Sequence, residues 1–454
     1  MNAELLARYD GARVPRYTSY PTAPHFGPAV GPERLLDWLG RLSAGTAASI
    51  YLHVPFCESM CWYCGCHTKV VARYQPVSDY LEQLRREINL IADAVPGRLT
   101  IGHLHWGGGT PNMVAPDDFR AVMAVVRARF DFAPGAELAT EIDPRTLTPA
   151  HVAAMADAGI TRASLGVQDF DAGIQKSINR IQPFEQTREA VERLRTAGVN
   201  AINLDLMYGL PAQTEEHCRR TAELALSLQP DRLAVFGYAH VPWMKTHQRM
   251  IDEAALPDAI ERWRQFAVIS ETLIAGGQQA IGLDHFARAE DEMAVVQRAG
   301  RLRRNFQGYT TDESEVLLGF GASAIGALPD GYVQNSPDYH KYETAIAAGR
   351  PATARGLELT TEDRLRRDLI ERLMCDLAVD LEAVAARHGA AADHFDAELA
   401  ALAGLVTDGL VEVSGRRLTV PESARPLVRL AAAAFDPYLV PSQESGAAKH
   451  SRAI

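Results

Sequence analysis

Three cysteines, Cys57, Cys61 and Cys64, stand at C-x3-C-x2-C spacing, and Cys66 follows at once. A loop this short gathers three thiolates around one small volume, which suits a compact 4Fe–4S cluster. Three ligands leave the fourth iron without a protein thiolate, and an open iron can bind a small chelating molecule. Zinc is the rival reading, because Cys66 and His67 add two more donors. Structural zinc usually takes two ligand pairs separated by a longer loop. Here every candidate falls within eleven residues, with Tyr63 wedged before Cys64. Disulfides fit less well, because Met1-Asn2-Ala3-Glu4 lacks the basic-then-apolar start of a secretory signal. Cys218 and Cys375 lie in helical patterns and read as buried small apolar residues.

The elements that must position this loop are strands and helices in alternation. Apolar strand-like runs stand at Ser49–Pro55, Leu99–Trp106, Glu137–Asp143, Arg162–Gln168, Ala201–Tyr208 and Arg232–Tyr238. Helical patterns lie between them, for example Ser78–Ala94, Pro116–Phe130 and Thr214–Leu228. Near-continuous apolar strands are those of a parallel sheet buried on both faces. Six β/α units without a glycine-rich dinucleotide fingerprint predict a partial (β/α)6 TIM-like barrel. A seventh run, Gln279–Phe286, follows the helical pattern Pro257–Ala275 and either closes or flanks the sheet. Active sites of such folds gather at the C-terminal strand ends. The polar residues of this chain collect there: the cysteine loop, Gly107-Gly108-Gly109-Thr110, Glu141 and Asp143, Gln168, Asp205, and Tyr238-Ala239-His240. That shared end predicts an enzyme.

The flanks differ in character. Residues 1–45 form an arm with one extended segment, Pro15-Arg16-Tyr17-Thr18-Ser19-Tyr20-Pro21-Thr22. Local pattern alone favours an arm lying on the surface over a strap across the mouth. Residues 46–344 form the barrel, and 345–454 a mainly helical, winged-helix-like C-terminal domain. Its signals are the capping box at Thr360–Asp363 and a hairpin turning at Ser414-Gly415. The tail Pro441–Ile454 reads as disordered. The net charge of −11 argues against nucleic acid as a partner, and thus against a DNA-binding redox sensor. No apolar run reaches membrane-spanning length, and six cysteines without a disulfide framework predict a cytoplasmic location.

Several residues have a possible role by type and place. The triple glycine lets backbone approach a ligand with no Cβ in the way. Glu141 could accept from ribose hydroxyls or an ammonium. Gln168, Arg180 and Asp205 form a polar set at the same mouth, though each alone is commonly a satisfied structural group. Tyr51 and His53, at i and i+2, share one face of the first strand and point into the barrel.

The cysteine loop, with its aromatic before the third cysteine, resembles that of the radical S-adenosylmethionine (SAM) enzymes. Within them the chain is similar to the oxygen-independent coproporphyrinogen III oxidase family. The similarity rests on Tyr51-Leu52-His53-Val54-Pro55-Phe56-Cys57, His105-Trp106-Gly107-Gly108-Gly109-Thr110-Pro111, Leu165–Phe170, Leu204–Pro211, Asp284–Arg288, Asn305–Tyr309 and Arg16–Thr22. It implies cluster ligation by Cys57, Cys61 and Cys64, with Cys66 required nearby without ligating, and catalytic places for Tyr51, His53 and Cys66. It places one SAM at Tyr51, Gly108 and Glu141. A second SAM falls at Tyr63, Gly109, Thr110, Gln168, Arg180, Asp205, Ala239 and Ile325, the last resting on the Gly319–Ile325 run alone. It also moves the arm to the active-site region.

The implied reaction is anaerobic oxidative decarboxylation of two propionates of coproporphyrinogen III to vinyls, giving protoporphyrinogen IX through a 5′-deoxyadenosyl radical. The implied partners are that substrate and an electron donor such as flavodoxin or ferredoxin, acting on a monomer. Four substrate carboxylates call for arginines, and Arg16, Arg288 and Arg304 are the candidates. The runner-up is a haem-binding relative on the same barrel. Such relatives typically carry an aromatic at the fourth cysteine and a shorter N-terminus, so Cys66 and Arg16–Thr22 favour the oxidase.

Overall fold

In a computed structural model, strands form where the apolar runs stand: β1 (Ala47–Val54), β2 (Thr100–Gly108), β3 (Asp131–Ile142), β4 (Arg162–Gln168), β5 (Ala201–Tyr208) and β6 (Arg232–Gly237). The structure describes residues 3–9 and 11–439; the tail Pro441–Ile454 lies outside the described residues. β1 to β6 are neighbours in chain order, each parallel to the next. Parallel neighbours need crossover connections. Helices α1 (Gln75–Asp93), α2 (Pro116–Arg129), α3 (Pro149–Asp157), α4 (Phe184–Thr196) and α5 (Glu215–Ser227) supply them. Thr148 and Thr214 close capping boxes at the starts of α3 and α5.

Strand alternation divides the residues of β1. Ile50, Leu52 and Val54 are buried in one core with Leu81, Leu84 and Ile88 of α1. Each such side chain contributes about 1.5–3 kcal/mol by leaving water. Ser49, Tyr51 and His53 take the opposite, interior face, as their spacing predicted.

The seventh run does not close the sheet. It splits into β7 (Gln278–Ile281) and β8 (His285–Arg288), an antiparallel pair after helix α6 (Ala259–Ala275). The reversal occurs at Gly282, where φ is +52° and a Cβ would lie 2.1 Å from the Tyr309 ring. β8 pairs antiparallel with β6. On the other side, β9 (Val316–Phe320) adds a seventh parallel strand beside β1. β10 (Ile325–Leu328), β11 (Gly331–Asn335) and β12 (Thr353–Glu358) extend it antiparallel. The full order is β12-β11-β10-β9-β1-β2-β3-β4-β5-β6-β8-β7, an open sheet.

The arm carries helices Ala3–Tyr9 and Pro32–Gly40, and the segment between them reaches the strand ends. There Arg16 donates to the Gly237 carbonyl at 3.2 Å. Tyr17 and Tyr20 are buried in a second core with Leu369, Leu373 and Phe435 from the C-terminal region. That region pairs helix Thr361–Asp376 with a three-stranded sheet, Ala378–Asp380, Arg417–Thr419 and Glu412–Ser414, whose last two strands form the expected hairpin.

Candidate active site

Cys57, Cys61 and Cys64 line one cavity of about 700 Å³ at the C-terminal ends of the parallel strands. All six cysteines are free thiols, and Cys218 and Cys375 are buried in helices away from the loop, as read from sequence. Backbone ties hold the loop in shape. Trp62 N–H donates to the Ile178 carbonyl at 3.0 Å, and Asn179 donates to the Met60 carbonyl at 2.8 Å. Lys245 donates to the Cys66 carbonyl at 2.8 Å and Gln248 to the Tyr63 carbonyl at 3.0 Å, while a His247 ring nitrogen lies 2.7 Å from the Cys64 carbonyl.

The donor set fits a cluster. Among the described residues no trio of His, Cys, Asp or Glu converges on a point as a single zinc ion requires. A cluster instead takes one thiolate per iron corner. Charge points the same way. Arg145 and Arg180 both donate to Cys61 Sγ, at 3.6 and 3.5 Å, and both pair with one carboxylate, Asp143, at 2.6 and 3.3 Å. One buried and one half-buried guanidinium group against one acid leave a positive surplus beside the thiols, which an anionic thiolate-bound cluster would offset. The Arg180 Nε has no partner in the protein. Cys66 N–H reaches Cys64 Sγ at 3.4 Å, and hydrogen bonding from Cys66 draws the Cys64 thiol down while Cys66 is pushed up.

The glycine run is required by space. A Cβ on Gly109 would lie 2.6 Å from the Phe56 carbonyl oxygen, and one on Gly108, whose φ is +115°, 2.6 Å from the His53 ring. Gly108 N–H donates to Glu141 at 3.1 Å, and a His105 ring nitrogen lies 3.3 Å from the other carboxylate oxygen. Burial opposes a charge on Glu141, but the His105 contact and the Gly108 N–H carry its carboxyl below the usual range. Tyr51 Oη lies 3.0 Å from His53 Nδ1. Burial raises the Tyr51 phenol and lowers His53 to about 4, so both are neutral. The pair backs the glycine run, outside the cavity wall.

Around the rest of the wall stand Tyr63, Thr110, Gln168, Arg180, Asp205 and Ala239. Thr110 Oγ1 lies 3.5 Å from Cys57 Sγ. Gln168 adopts φ +70°, a left-handed conformation that costs of order 1–3 kcal/mol in a non-glycine residue. Asp205 accepts from Asn203 at 2.9 Å and Ser164 at 3.2 Å, and burial followed by the nearby Glu141 charge raises it to about 6. Ile325 is the exception: it sits on β10 beside the Phe26, Tyr332 and Leu359 cluster, outside the cavity wall.

Among the expected arginines, Arg16 and Arg304 line the cavity. Arg288 does not. β8 runs antiparallel to the barrel strands, so its end lies by Asp231 before β6, and Arg288 pairs there with Asp231 and Glu290. Sequence reasoning gave no role to Asp143, Arg145 or His105. Asp143 had a signal: it lies two residues past Glu141 at the same strand end.

Comparison with known proteins agrees with this geometry. Residues 51–225 match the radical SAM superfamily, and residues 359–427 match the HemN C-terminal domain. The chain is 53% identical to an oxygen-independent coproporphyrinogen III oxidase of Bradyrhizobium diazoefficiens over 454 residues, the whole of both chains. It is 44% identical to that of Paracoccus denitrificans, covering 99% of this chain and 98% of the relative. The solved coproporphyrinogen III oxidase (HemN) of Escherichia coli superimposes with a TM-score of 0.89 at 38% identity, over 93% of this chain and 98% of that one. The chain belongs to the oxygen-independent coproporphyrinogen III oxidase family of radical SAM enzymes.

Proposed function

We propose that this protein converts two propionates of coproporphyrinogen III to vinyl groups without oxygen, giving protoporphyrinogen IX for haem synthesis. The observation that carries it is the convergence of three free thiols, a clash-limited glycine edge and a surplus of buried positive charge on one cavity. Cys57, Cys61 and Cys64 hold a 4Fe–4S cluster, and the glycine edge with Glu141 receives SAM. Together these groups supply a carbon radical able to remove a hydrogen atom from an unactivated carbon.

The chain's own residues do the rest. Glu141 stays ionised to accept from hydroxyl or ammonium donors. Tyr51 and His53 brace the glycine edge as a neutral pair, and Cys66 supports Cys64. Arg16 and Arg304 hold substrate carboxylates at the wall. The arm covers the mouth and excludes water. The β-carbon of the propionate would give a hydrogen atom to the SAM-derived carbon radical, and the resulting substrate radical would release carbon dioxide and pass one electron to an external one-electron acceptor, leaving the vinyl. A second SAM against Tyr63, Gly109, Thr110, Gln168, Arg180, Asp205 and Ala239 belongs to this reading, which drops Ile325 as a contact. So do a cytoplasmic monomer, a flavodoxin or ferredoxin donor, and a division into arm 1–45, barrel 46–344 and C-terminal domain 345–454.

The test is anaerobic reconstitution with iron and sulfide, then assay with coproporphyrinogen III, SAM and dithionite. Protoporphyrinogen IX with 5′-deoxyadenosine supports the reading; SAM cleavage without vinyl formation overturns it. Arg16→Glu and Arg304→Glu raise KM for the substrate if the carboxylate assignment holds, and normal KM in both removes it.

A further inference from the structure

Six acids line the cavity: Glu137, Glu141, Asp143, Asp205, Asp284 and Asp312. Five of them are matched from within the protein. Arg162 and Arg232 offset Glu137, and Arg145 and Arg180 offset Asp143. Glu141 has the Gly108 N–H at one oxygen and His105 at the other. Asp312 has Ser49 at one and His103 at the other, and Asp205 accepts from Asn203 and Ser164. Asp284 differs. Among the described residues its carboxylate has one partner, His285 Nδ1, 2.8 Å from Oδ1. A carboxylate only accepts, so that ring nitrogen carries the hydrogen. Its side chain keeps 16% of its surface open, on the cavity wall, and Oδ2 is left to a guest.

The fold fixes where this carboxylate stands. β8 runs antiparallel to β6, so the residue just before β8 lies toward the mouth. The Val235 N–H donates to the Asp284 carbonyl at 2.8 Å, two residues before Gly237, whose carbonyl Arg16 reaches. The His285 ring packs edge to face against both Phe236 and Tyr309, with centroids 5.8 and 5.1 Å away, which holds the nitrogen that faces Asp284. Burial opposes a charge on Asp284, but His285, and then Arg304 and Arg16, take its carboxyl down to about 2. An ionised acceptor therefore stands among the arginines assigned above to the substrate.

That substrate offers groups of two kinds. Its four propionates lie on the rim and suit arginines. Its four pyrrole N–H groups point inward and are donors only. Saturated bridges between the pyrroles let the ring pucker and turn these donors to one side. Once the cavity excludes water, a donor without an acceptor is costly. Guanidinium groups have no acceptor to give. An ionised carboxylate with an unused oxygen does, and hydrogen bonds to a charged acceptor are the stronger class.

The geometry points to Asp284 as the acceptor for the pyrrole N–H groups of the substrate. The inference rests on the substrate assigned under the proposed function and adds how the ring, rather than its side chains, is recognised. It also sets a preference by oxidation level. A porphyrinogen presents four N–H groups, whereas a metal-filled porphyrin with the same propionates presents none.

The test compares two ligands that share all four propionates. Reconstituted holoenzyme is dialysed anaerobically, without SAM, against coproporphyrinogen III or zinc coproporphyrin III, which has no N–H. Wild type is expected to bind the porphyrinogen about tenfold or more tightly than the zinc complex. Asp284→Asn keeps the shape and loses the charge. Its affinity for the porphyrinogen falls about tenfold or more, while the zinc complex, and SAM in a separate titration, bind as they do to wild type. Equal wild-type affinities for the two ligands overturn the proposal without any variant. An Asp284→Asn protein with unchanged porphyrinogen affinity overturns it too. So does one that loses both ligands equally, because Asp284 then acts through the arginines, or one that loses SAM instead. A wild-type holoenzyme that discriminates as expected yet makes no protoporphyrinogen IX with SAM and dithionite refutes the proposed reaction and leaves this contact standing.

Discussion

Both ends of the barrel interior hold buried charge, but only the floor balances it from within. At the floor, Arg162 and Arg232 face Glu137 and Asp291, with Arg162 Nε 2.8 Å from Glu137 and Arg232 Nε 2.8 Å from Asp291. Cross pairs at 3.7 and 3.9 Å complete a two-against-two set. Beside it Asp312 accepts from Ser49 and lies 3.4 Å from His103. At the mouth, Arg145 and Arg180 share one carboxylate and each also donates to the Cys61 thiol, Arg180 holding the Gly166 carbonyl as well and keeping its Nε unpaired. The same residue types therefore serve two ends. The floor ties strands to each other, and the mouth keeps donors for an anionic guest.

Substitutions at the two ends separate these roles. Serine at Cys57, Cys61 or Cys64 takes cluster absorbance and turnover to background, while Cys218→Ser keeps the cluster; iron and sulfide analysis reads this. Arg232→Ala leaves Asp291 short of its near partner and lowers stability by about 3 kcal/mol, measured by urea unfolding, with cluster content per folded molecule unchanged. Arg145→Ala does the reverse: turnover or cluster retention falls about tenfold, and stability moves by less than about 1 kcal/mol. If Arg145→Ala destabilises as much as Arg232→Ala, the contrast between the two ends fails.

The smallest effect is in pH. Burial works against charge on Glu137, but Arg162 and then Arg232 hold its carboxyl low. Its contribution is present above its unfolded pKa and fades as pH falls through the depressed folded value. Asp205 slopes the other way. Raised to about 6 by burial and Glu141, it binds its proton more tightly folded than unfolded. Its contribution is full below about pH 4 and fades as pH rises through about 6. Asp205→Asn therefore matches wild type near pH 4 and exceeds it in stability at pH 7–8, read by thermal melts across that range. A variant less stable than wild type at pH 8 contradicts the raised value.

What the sequence disclosed follows from the same physics. β4 and β5 match the apolar runs residue for residue, because buried Ala163, Leu165 and Val167 and buried Ile202, Leu204 and Leu206 alternate through their whole length. β9 escaped notice: five residues bounded by glycine carry too little pattern to announce a strand. Gln279–Phe286 read as one run because the reversal at Gly282 sits inside an otherwise continuous stretch. That error also misplaced Arg288, since the strand bearing it runs backwards to the rest. Local pattern set the arm on the surface; the resemblance moved it to the active-site region, and the contact of Arg16 with Gly237 brings it to the strand ends. The thiol loop, the glycine edge and Glu141 were legible from spacing and strand ends; the Asp143 balance with Arg145 and Arg180 required three dimensions.

The most direct test is electron paramagnetic resonance of the anaerobically reconstituted, dithionite-reduced protein before and after SAM is added. The account predicts a reduced 4Fe–4S signal that changes shape on SAM addition and vanishes in Cys64→Ser. A signal indifferent to SAM, or a protein that takes up zinc and forms no cluster, contradicts it.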